Sequence, residues 1–449
     1  MNFRKLPHKS VLALAWPMIL SNISVPLLGL VDTAILGHLP SPVYLSAVAL
    51  GASLLSIVFW AMGFLRMGTT SLAARAQGQH RAQKQPDEHA MASLLVRSGV
   101  LALALGLLLV MFRTPLINTA LTWMEPSAST EALARSYSHI RLLSAPFVLT
   151  TMVILGWFIG RQNTRVPLLV MVATNLVNVI LDMVFIWGLK LNSDGAALAT
   201  VCADTLGFVL AAGCALRASP SLIRRFTRYL SCNLDDYREL LSINRHLFIR
   251  TLCLLLTFAF FTAQGAQMGD DILAANAIIF QLLMLTSYSL DGIAHASEAL
   301  AGDAVGAQNP QRLEAIVVTT GFWSVLIAMA MSLSFSLGQT LIIPVFTDIA
   351  AVAQILSEFY HWVIVLPLAC VWAFWLDGIF IGTGRTKTMQ NAMLGCCVLV
   401  FFPVWWATQA LHNNGLWIAF TLFNVARGVS LGWCTIQFLS HNRNRLSHN

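Results

Sequence analysis

Apolar runs of roughly 20 residues recur along the whole chain and are separated by short polar segments. A helix of about 20 residues is long enough to cross the hydrocarbon core of a membrane. The runs are continuous and do not alternate with polar residues, which favours helices over the strands of a closed barrel. The pattern therefore predicts about twelve membrane-spanning helices, with approximate bounds 11–36, 43–70, 89–112, 133–159, 166–189, 194–216, 243–268, 272–300, 313–338, 352–383, 388–410 and 415–439.

Composition and charge agree with this pattern. The 449 residues are 57% hydrophobic and 10% charged, too few charges for a soluble protein of this size. The net charge of +7 could indicate nucleic-acid binding, but the basic residues gather in every second connecting segment. With the N-terminus inside, the outer segments hold only Arg113, Arg135 and Lys190. This asymmetry predicts that both termini are cytoplasmic, and it argues against nucleic acid as a partner.

No pattern of enzyme chemistry is visible in the sequence. The eight cysteines lie mostly inside predicted spans, without the spacing of metal ligands, and we interpret them as small packing residues. The glycine-rich segment 378–386 lacks the spacing of a phosphate-binding loop and follows a membrane helix. We therefore expect a protein that is not an enzyme, with no cofactor and no bound metal.

The two halves of the chain repeat each other. Residues 45–49 and 72–78 align with 273–277 and 300–306 at one offset of about 228. Gly156 and Gly160 are echoed by Gly378 and Gly382, and such glycine pairs allow close helix packing. We predict an N-terminal six-helix lobe at 1–216, a cytoplasmic linker at 217–242 and a C-terminal six-helix lobe at 243–449. Parallel repeats of this kind are typical of transporters that bind substrate between the halves.

Asp32 is the strongest candidate for a functional group inside the membrane. An ionisable side chain in a span costs several kcal/mol, so it marks a functional site by default. Asp32 lies near the outer end of the first span, which also contains Pro17 and Pro26. Both prolines lack the backbone donor, so we expect a bend in this helix. The alternative is an aspartate that faces the outer headgroups.

Other polar residues of the first half fall at the same depth as Asp32. The fifth span carries a polar stripe, and the fourth and sixth spans add a tyrosine, a threonine and an acid: Asn175, Asn178, Asp182, Tyr137, Thr200 and Asp204. Two carboxylates close together at low dielectric cannot both stay ionised cheaply, so one of them is expected to hold a proton near neutral pH. The oxygens of Asp32, Asn178 and Asp182 could instead bind Na⁺. Structural hydrogen bonding is the remaining explanation for the asparagines and Thr200.

The acids of the second half are placed differently. Asp291, His295 and Glu298 share one face of the eighth span, and Asp377 lies in the inner part of the tenth span. We interpret them as an inner gate or structural ion pairs rather than as the coupling site. At the offset that aligns the halves, Asp32 falls opposite Phe260, so the outer acid cluster belongs to the first half alone.

Five segments of the chain form a recognisable set: residues 16–22 (WPMILSN), 28–38 (LGLVDTAILGH), 73–78 (AARAQG), 160–165 (GRQNTR) and 291–302 (DGIAHASEALAG). Together they resemble the multidrug and toxic compound extrusion (MATE) family, and within it the DinF-like branch. The resemblance covers essentially the whole chain. It implies two six-helix lobes and export of amphipathic organic cations in exchange for H⁺ or Na⁺. Two closed lobes need no partner subunit, so we expect a monomer in the lipid of the inner membrane, with small amphipathic cationic or polyaromatic substrates.

The resemblance also implies roles for particular residues. In DinF-like members the coupling groups are in the N-terminal lobe, and their counterparts here are Asp32, Tyr137, Asn178, Asp182 and Thr200. Bending of the first helix at its proline, proposed and disputed within the family, would occur at Pro17. The NorM-like branch uses acids in its seventh and tenth helices, and the seventh span here has no acid between residues 247 and 268. This departure favours H⁺ coupling through the first half.

Three alternatives to proton-driven drug export follow from the same sequence. A Na⁺-coupled drug antiporter would use the same oxygens. A flippase for lipid-linked precursors would need a strongly basic cavity, and few basic residues lie deep in the spans, chiefly Arg141, Arg250 and Arg427. A membrane scaffold or intramembrane enzyme would not require the repeat and the clustered acids.

Overall fold

The structure is a computed structural model that describes residues 6–37, 41–83, 88–124, 126–224, 229–230 and 234–447. Some side chains within these helices also lie outside the described set, Pro26 among them, as do all side chains after residue 440. Parts of the predicted linker at 217–242 fall outside the described residues as well. Within the described part of the chain, the secondary structure is helical and no strand occurs.

The first half contains ten helices among the described residues. They are α1 (His8–Gly37), α2 (Pro42–Ala61), α3 (Phe64–Gln83), α4 (Glu88–Met111), α5 (Arg113–Met124), α6 (Ala128–Arg141), α7 (Ala145–Gly160), α8 (Arg165–Asp182), α9 (Asn192–Ala218) and α10 (Ser221–Arg224). A short 3-10 turn at Leu142–Ser144 joins α6 to α7, and a π-helical turn at Met183–Gly188 continues α8.

The second half opens with a 3-10 turn at Leu234–Tyr237, and seven α-helices follow this turn among the described residues. They are α11 (Arg238–Gln267), α12 (Asp270–Gly306), α13 (Pro310–Phe346), α14 (Ala350–Gly382), α15 (Thr386–Cys396), α16 (Phe402–Ala407) and α17 (His412–Ser447). A π-helical turn at Cys397–Phe401 joins α15 to α16, and a 3-10 turn at Gln409–Leu411 precedes α17.

The predicted membrane architecture is confirmed. Eleven helical segments of the described residues are long and apolar enough to cross a membrane, and α1 occupies the position of the predicted first span. The second predicted span is two helices, α2 and α3, separated by a turn at Met62 and Gly63. Helix α5 was not predicted: it is a short helix after the third span whose Ile117 and Leu121 are buried.

The glycine pairs of the repeat have the same packing role in both halves. A Cβ added to Gly156 would come within 2.5 Å of the backbone oxygen of Arg66, so α7 lies directly against α3. A Cβ on Gly378 would come within 2.6 Å of the backbone oxygen of Ala294, so α14 lies directly against α12. Gly160 and Gly382 extend the two contacts by one turn. Only glycine allows backbones to approach this closely.

The contacts divide the chain into two compact units. One unit is Leu20–Asn244, and the other is Met1–Ile19 together with Arg245–Asn449. The predicted lobe at 1–216 included all of the first span, whereas the division falls inside α1, just after Pro17. The N-terminal part of α1 groups with the second half because Gly292 of α12 lets Ala15 and Ile19 pack against its backbone.

The described part of the predicted inter-lobe linker packs against other helices of the unit Leu20–Asn244, which we call the first unit. Glu239 forms an ion pair with Arg75 of α3 at 2.9 Å, and Asp236 forms one with Arg97 of α4 at 3.2 Å. Tyr229 is buried, and its hydroxyl lies 2.6 Å from His89 Nδ1. The described part of the linker therefore packs against α3 and α4 instead of extending away from them.

Candidate functional site

Helices α1 and α8 bring the two predicted acids together. The carboxyl groups of Asp32 and Asp182 are close enough to interact directly with each other. Asp182 is only 1% exposed, and it is the last residue of α8 before the π-helical turn. Such turns are frequent at functional sites because the extra residue reorients the side chains beside it. Two carboxyl groups in contact require a shared proton or a bound cation.

The oxygens around this pair lack protein donors. Asp32 Oδ1, both carboxyl oxygens of Asp182 and Asn178 Oδ1 are buried, and no donor of a described residue reaches them. Asn178 Nδ2 donates to Thr200 Oγ1 at 3.2 Å, and Thr200 in turn donates to the backbone oxygen of Ala196. The amide oxygen of Asn178 is thereby left as an acceptor beside the acids. A proton or an oxygen-preferring cation such as Na⁺ fits this set of groups.

Tyr137 and Arg141 lie one turn apart on α6, and both face this cluster. Tyr137 is buried, and its hydroxyl lies within electrostatic reach of Arg141, Asp32 and Asp182. Arg141 Nη1 forms an ion pair with Asp204 Oδ2 of α9 at 2.7 Å. Arg141, a deep basic residue of the first unit, is therefore bound by an acid of its own.

Some residues of the site were not singled out from the sequence. A Cβ on Gly51 would come within 2.5 Å of the Tyr137 ring, so this glycine makes room for the tyrosine against α2. Ser24 Oγ accepts a hydrogen bond from Asn175 Nδ2 at 2.9 Å, which joins α1 to α8 two turns from the acids. Ser144 Oγ lies 2.8 Å from Asp204 Oδ2. Small polar residues and glycines in spans are too common to be informative without the fold.

The prolines of α1 do not interrupt the helix. Its backbone is α-helical from His8 to Gly37, through Pro17 and Pro26. Pro17 is buried, and the side chain of Pro26 lies outside the described set. A bend of α1 during transport stays a prediction.

The second unit holds Asp377 in an ion-pair network. Asp377 Oδ2 accepts hydrogen bonds from Arg250 of α11 and from Arg427 Nη2 of α17, the latter at 2.8 Å. Arg427 is 1% exposed and also donates to Asn424 Oδ1 at 3.0 Å. Asp377, the predicted acid of the tenth span, thus pairs with two arginines. Neither arginine is therefore an unpaired positive charge lining a cavity.

The remaining predicted residues of the second half lie on α12. His295 Nδ1 is 3.4 Å from Glu298 Oε1, and both side chains are buried. Asp291 is half-buried one turn before His295 and lies close to Tyr288. A role for these residues as an inner gate or as structural ion pairs stays a prediction.

Sequence comparison finds relatives along the full length of the chain. A family profile described as MatE matches residues 17–184 and 247–406. The chain is 39% identical to DNA damage-inducible protein F of Escherichia coli strain K12, over 96% of this chain and 92% of that protein. It is 21% identical to Multidrug export protein MepA of Staphylococcus aureus strain NCTC 8325 / PS 47, over 92% of this chain and 89% of that protein.

Solved structures share the fold at low identity. A structure described as "Crystal structure of MATE in the straight conformation" superposes on this chain with a TM-score of 0.85. Its sequence is 21% identical, and the superposition covers 98% of each chain. At this identity the likeness shows the fold, and the chemistry of the site has to be argued from the residues of this chain.

Proposed function

The chain belongs to the MATE family of multidrug efflux transporters, and on this premise we propose that it exports amphipathic organic cations in exchange for H⁺ bound at the Asp32–Asp182 pair. The observation that supports H⁺ most directly is the contact between the two carboxyl groups. A single proton shared by two carboxyls relieves their repulsion and supplies the donor that the protein itself does not provide.

The proposed cycle uses the pair as an exchange site. In a state open to the outside, a proton enters and neutralises one carboxyl, which weakens the hold of the site on an organic cation. The cation leaves, the protein changes to a state open to the cytoplasm, and the proton is released there. A membrane potential of 100 mV contributes about 2.3 kcal/mol per proton, to which any pH gradient adds. We place the protein in the bacterial inner membrane with both termini in the cytoplasm.

Na⁺ coupling is the second candidate, and Asn178 favours it. The amide oxygen of Asn178 accepts no hydrogen bond from the described residues, although its amide nitrogen is used by Thr200. A proton site has no need of this oxygen, whereas Na⁺ binds carboxylate and amide oxygens together. The two candidates therefore differ in the expected effect of Asn178→Leu: it impairs Na⁺-driven transport and spares H⁺-driven transport.

A lipid-precursor flippase is less well supported. The deep basic residues that could bind a diphosphate are already paired, Arg141 with Asp204 and Arg250 and Arg427 with Asp377. The positive charge available to an anionic headgroup is correspondingly small. The pairing thus argues for a cationic substrate.

The decisive experiment is transport of a fluorescent lipophilic cation in proteoliposomes, with H⁺ and Na⁺ gradients imposed separately. We expect the H⁺ gradient to drive accumulation in the wild type, and Asp32→Asn or Asp182→Asn to reduce it to the level of empty liposomes. Glu131→Gln, which makes the same chemical change in the exposed ion pair with Arg135, is the matched control and should transport normally. Proton-driven accumulation that persists in both acid variants contradicts the proposal.

A further inference from the structure

Arg141 lies between two acidic groups of the first unit. On one side its Nη1 is 2.7 Å from Asp204 Oδ2 and 2.7 Å from Ser144 Oγ, which itself contacts Asp204 at 2.8 Å. On the other side it interacts with Tyr137, whose hydroxyl lies within electrostatic reach of Asp32 and Asp182. The Arg141 charge itself also acts on Asp32.

A guanidinium in this position competes with any transported cation. Arginine stays protonated under all physiological conditions, so Arg141 is a permanent positive charge in a region of low dielectric. Its side chain is 15% exposed and that of Asp204 is 16% exposed, so water screens the two charges only weakly. Besides Asp204, the carboxyl group on which the Arg141 charge acts is that of Asp32, a member of the acid pair. Without Asp204, the positive charge of Arg141 would partly neutralise the acid pair and so compete with the coupling ion.

We propose that Asp204 is a positioning residue that binds Arg141 as its own counter-ion, and thereby leaves the Asp32–Asp182 pair free to bind the coupling ion. The positive charge of Arg141 lowers the affinity of the acid pair for that ion, and the negative charge of Asp204 offsets this effect. Among the described residues, the charged and titratable groups at and around the acid pair are Asp32 on α1, Tyr137 and Arg141 on α6, Asp182 on α8 and Asp204 on α9.

This assignment rests on the proposed function, because it concerns the ion that the acid pair binds. It holds for H⁺ and for Na⁺, because the competition is between positive charges. The assignment gives Asp204 a different role from that of Asp32 and Asp182, although all three acids lie in the first half of the sequence. Asp204 acts through Arg141 and needs no contact with the ion.

The test measures the half-saturating concentration of the driving ion for transport of the fluorescent cation in proteoliposomes. In Asp204→Asn protein, Arg141 is no longer neutralised, so this concentration rises by about tenfold, as expected for a unit charge acting over several ångströms at an effective dielectric constant near 20. In Arg141→Gln protein the remaining Asp204 charge lowers it by a similar factor. The double variant Arg141→Gln/Asp204→Asn returns it to within about threefold of the wild type.

The shifts in opposite directions and their cancellation distinguish positioning from a structural role, because loss of packing reduces transport without moving the half-saturating concentration both ways. Asp204→Glu keeps the charge and should restore the wild-type value. Arg135→Gln and Glu131→Gln, an exposed pair on the same helix, are the matched controls and leave it unchanged.

Ion-dependent thermal stabilisation of the purified protein gives the same ranking without transport. It also keeps the assignment testable if a variant is inactive, since Asp204→Asn and Asp204→Glu still differ by one charge. Unshifted ion dependence in Asp204→Asn protein, while Asp32→Asn abolishes coupling, overturns the assignment and leaves the proposed function intact. Ion-driven transport that survives in Asp32→Asn and Asp182→Asn overturns the proposed function instead.

Discussion

The two units contain charge clusters of opposite kind. In the first unit, three acids (Asp32, Asp182 and Asp204) share one base, Arg141, and that base is bound by Asp204. In the second unit, one acid, Asp377, is shared by two bases, Arg250 and Arg427. An excess of buried acid can be relieved by a proton or a metal cation, which can arrive and leave. An excess of buried arginine cannot lose its protons, so the second cluster is a set of fixed charges.

The difference arises on a shared framework. Each half interrupts its fifth span with a π-helical turn, at Met183–Gly188 and at Cys397–Phe401. The residue that leads into the turn is Asp182 in the first half and Cys396 in the second, where it is buried in an apolar core. Both halves thus contain a π-helical turn in the fifth span, and the residue that precedes the turn is ionisable at neutral pH only in the first half.

The largest effect on stability is expected when the second cluster is broken. Asp377→Asn leaves two buried guanidinium groups without their counter-ion, which should cost about 3–5 kcal/mol. A fall of the unfolding temperature in detergent, with poor expression, is the expected result. Replacing all three residues together by apolar residues of similar size should restore much of the stability, because no unpaired charge remains. A stable Asp377→Asn protein would contradict the view of this cluster as fixed and mutually dependent charges.

The next effect concerns Tyr137 in the first cluster. Gly51→Ala places a methyl group within 2.5 Å of the Tyr137 ring, and overpacking of this kind costs about 1–3 kcal/mol. The displaced tyrosine should also reduce ion-driven transport. Gly99→Ala is the matched control, since a Cβ there meets nothing within 4 Å and alanine favours the helix. Equal stability and transport in the two variants would show that Tyr137 does not depend on Gly51.

A smaller effect is expected at the hydrogen bond between α1 and α8. Ser24→Ala removes the acceptor of Asn175 Nδ2, which should cost about 1 kcal/mol. Because this bond lies two turns from Asp32, transport should be reduced only mildly. Ser53→Ala, whose hydroxyl bonds only to the backbone of its own helix, serves as the comparison and should change the unfolding temperature less.

The smallest effect on stability is expected at the acid pair itself. Asp182→Asn removes a carboxyl that repels its neighbour and supplies an amide donor to Asp32, so stability should change by no more than about 1 kcal/mol in either direction. Transport should nevertheless be lost. Asp182→Asn is thus expected to change activity and not stability, whereas the main expected effect of Asp377→Asn is a loss of stability. A large loss of stability in Asp182→Asn protein would assign the pair a structural role.

Much of this protein follows from local pattern alone. Apolar run length determined the spans, because each must satisfy its own backbone hydrogen bonds in lipid, and eleven of them are observed as predicted among the described residues. The glycine pairs at 156 and 160 and at 378 and 382 were identified by spacing, because close helix packing excludes larger side chains. The candidate acids were identified because charge within a span is costly and therefore uncommon. Helix α5 escaped detection because twelve residues with mixed polarity are too few for a span signal.

The partners of the charged residues were decided by tertiary structure. Sequence spacing placed Asp204 beside Thr200 and Arg141 beside Tyr137, but it could not show that Arg141 and Asp204 bind each other across 63 positions. Nor could sequence spacing show that Asp377 forms ion pairs with two arginines, whereas the carboxyl groups of Asp32 and Asp182 interact with each other. Helix periodicity fixes which residues share a face, whereas the neighbour of that face depends on how separate helices pack. In a low-dielectric interior that neighbour determines whether a carboxyl is a fixed charge or a site for a transported ion.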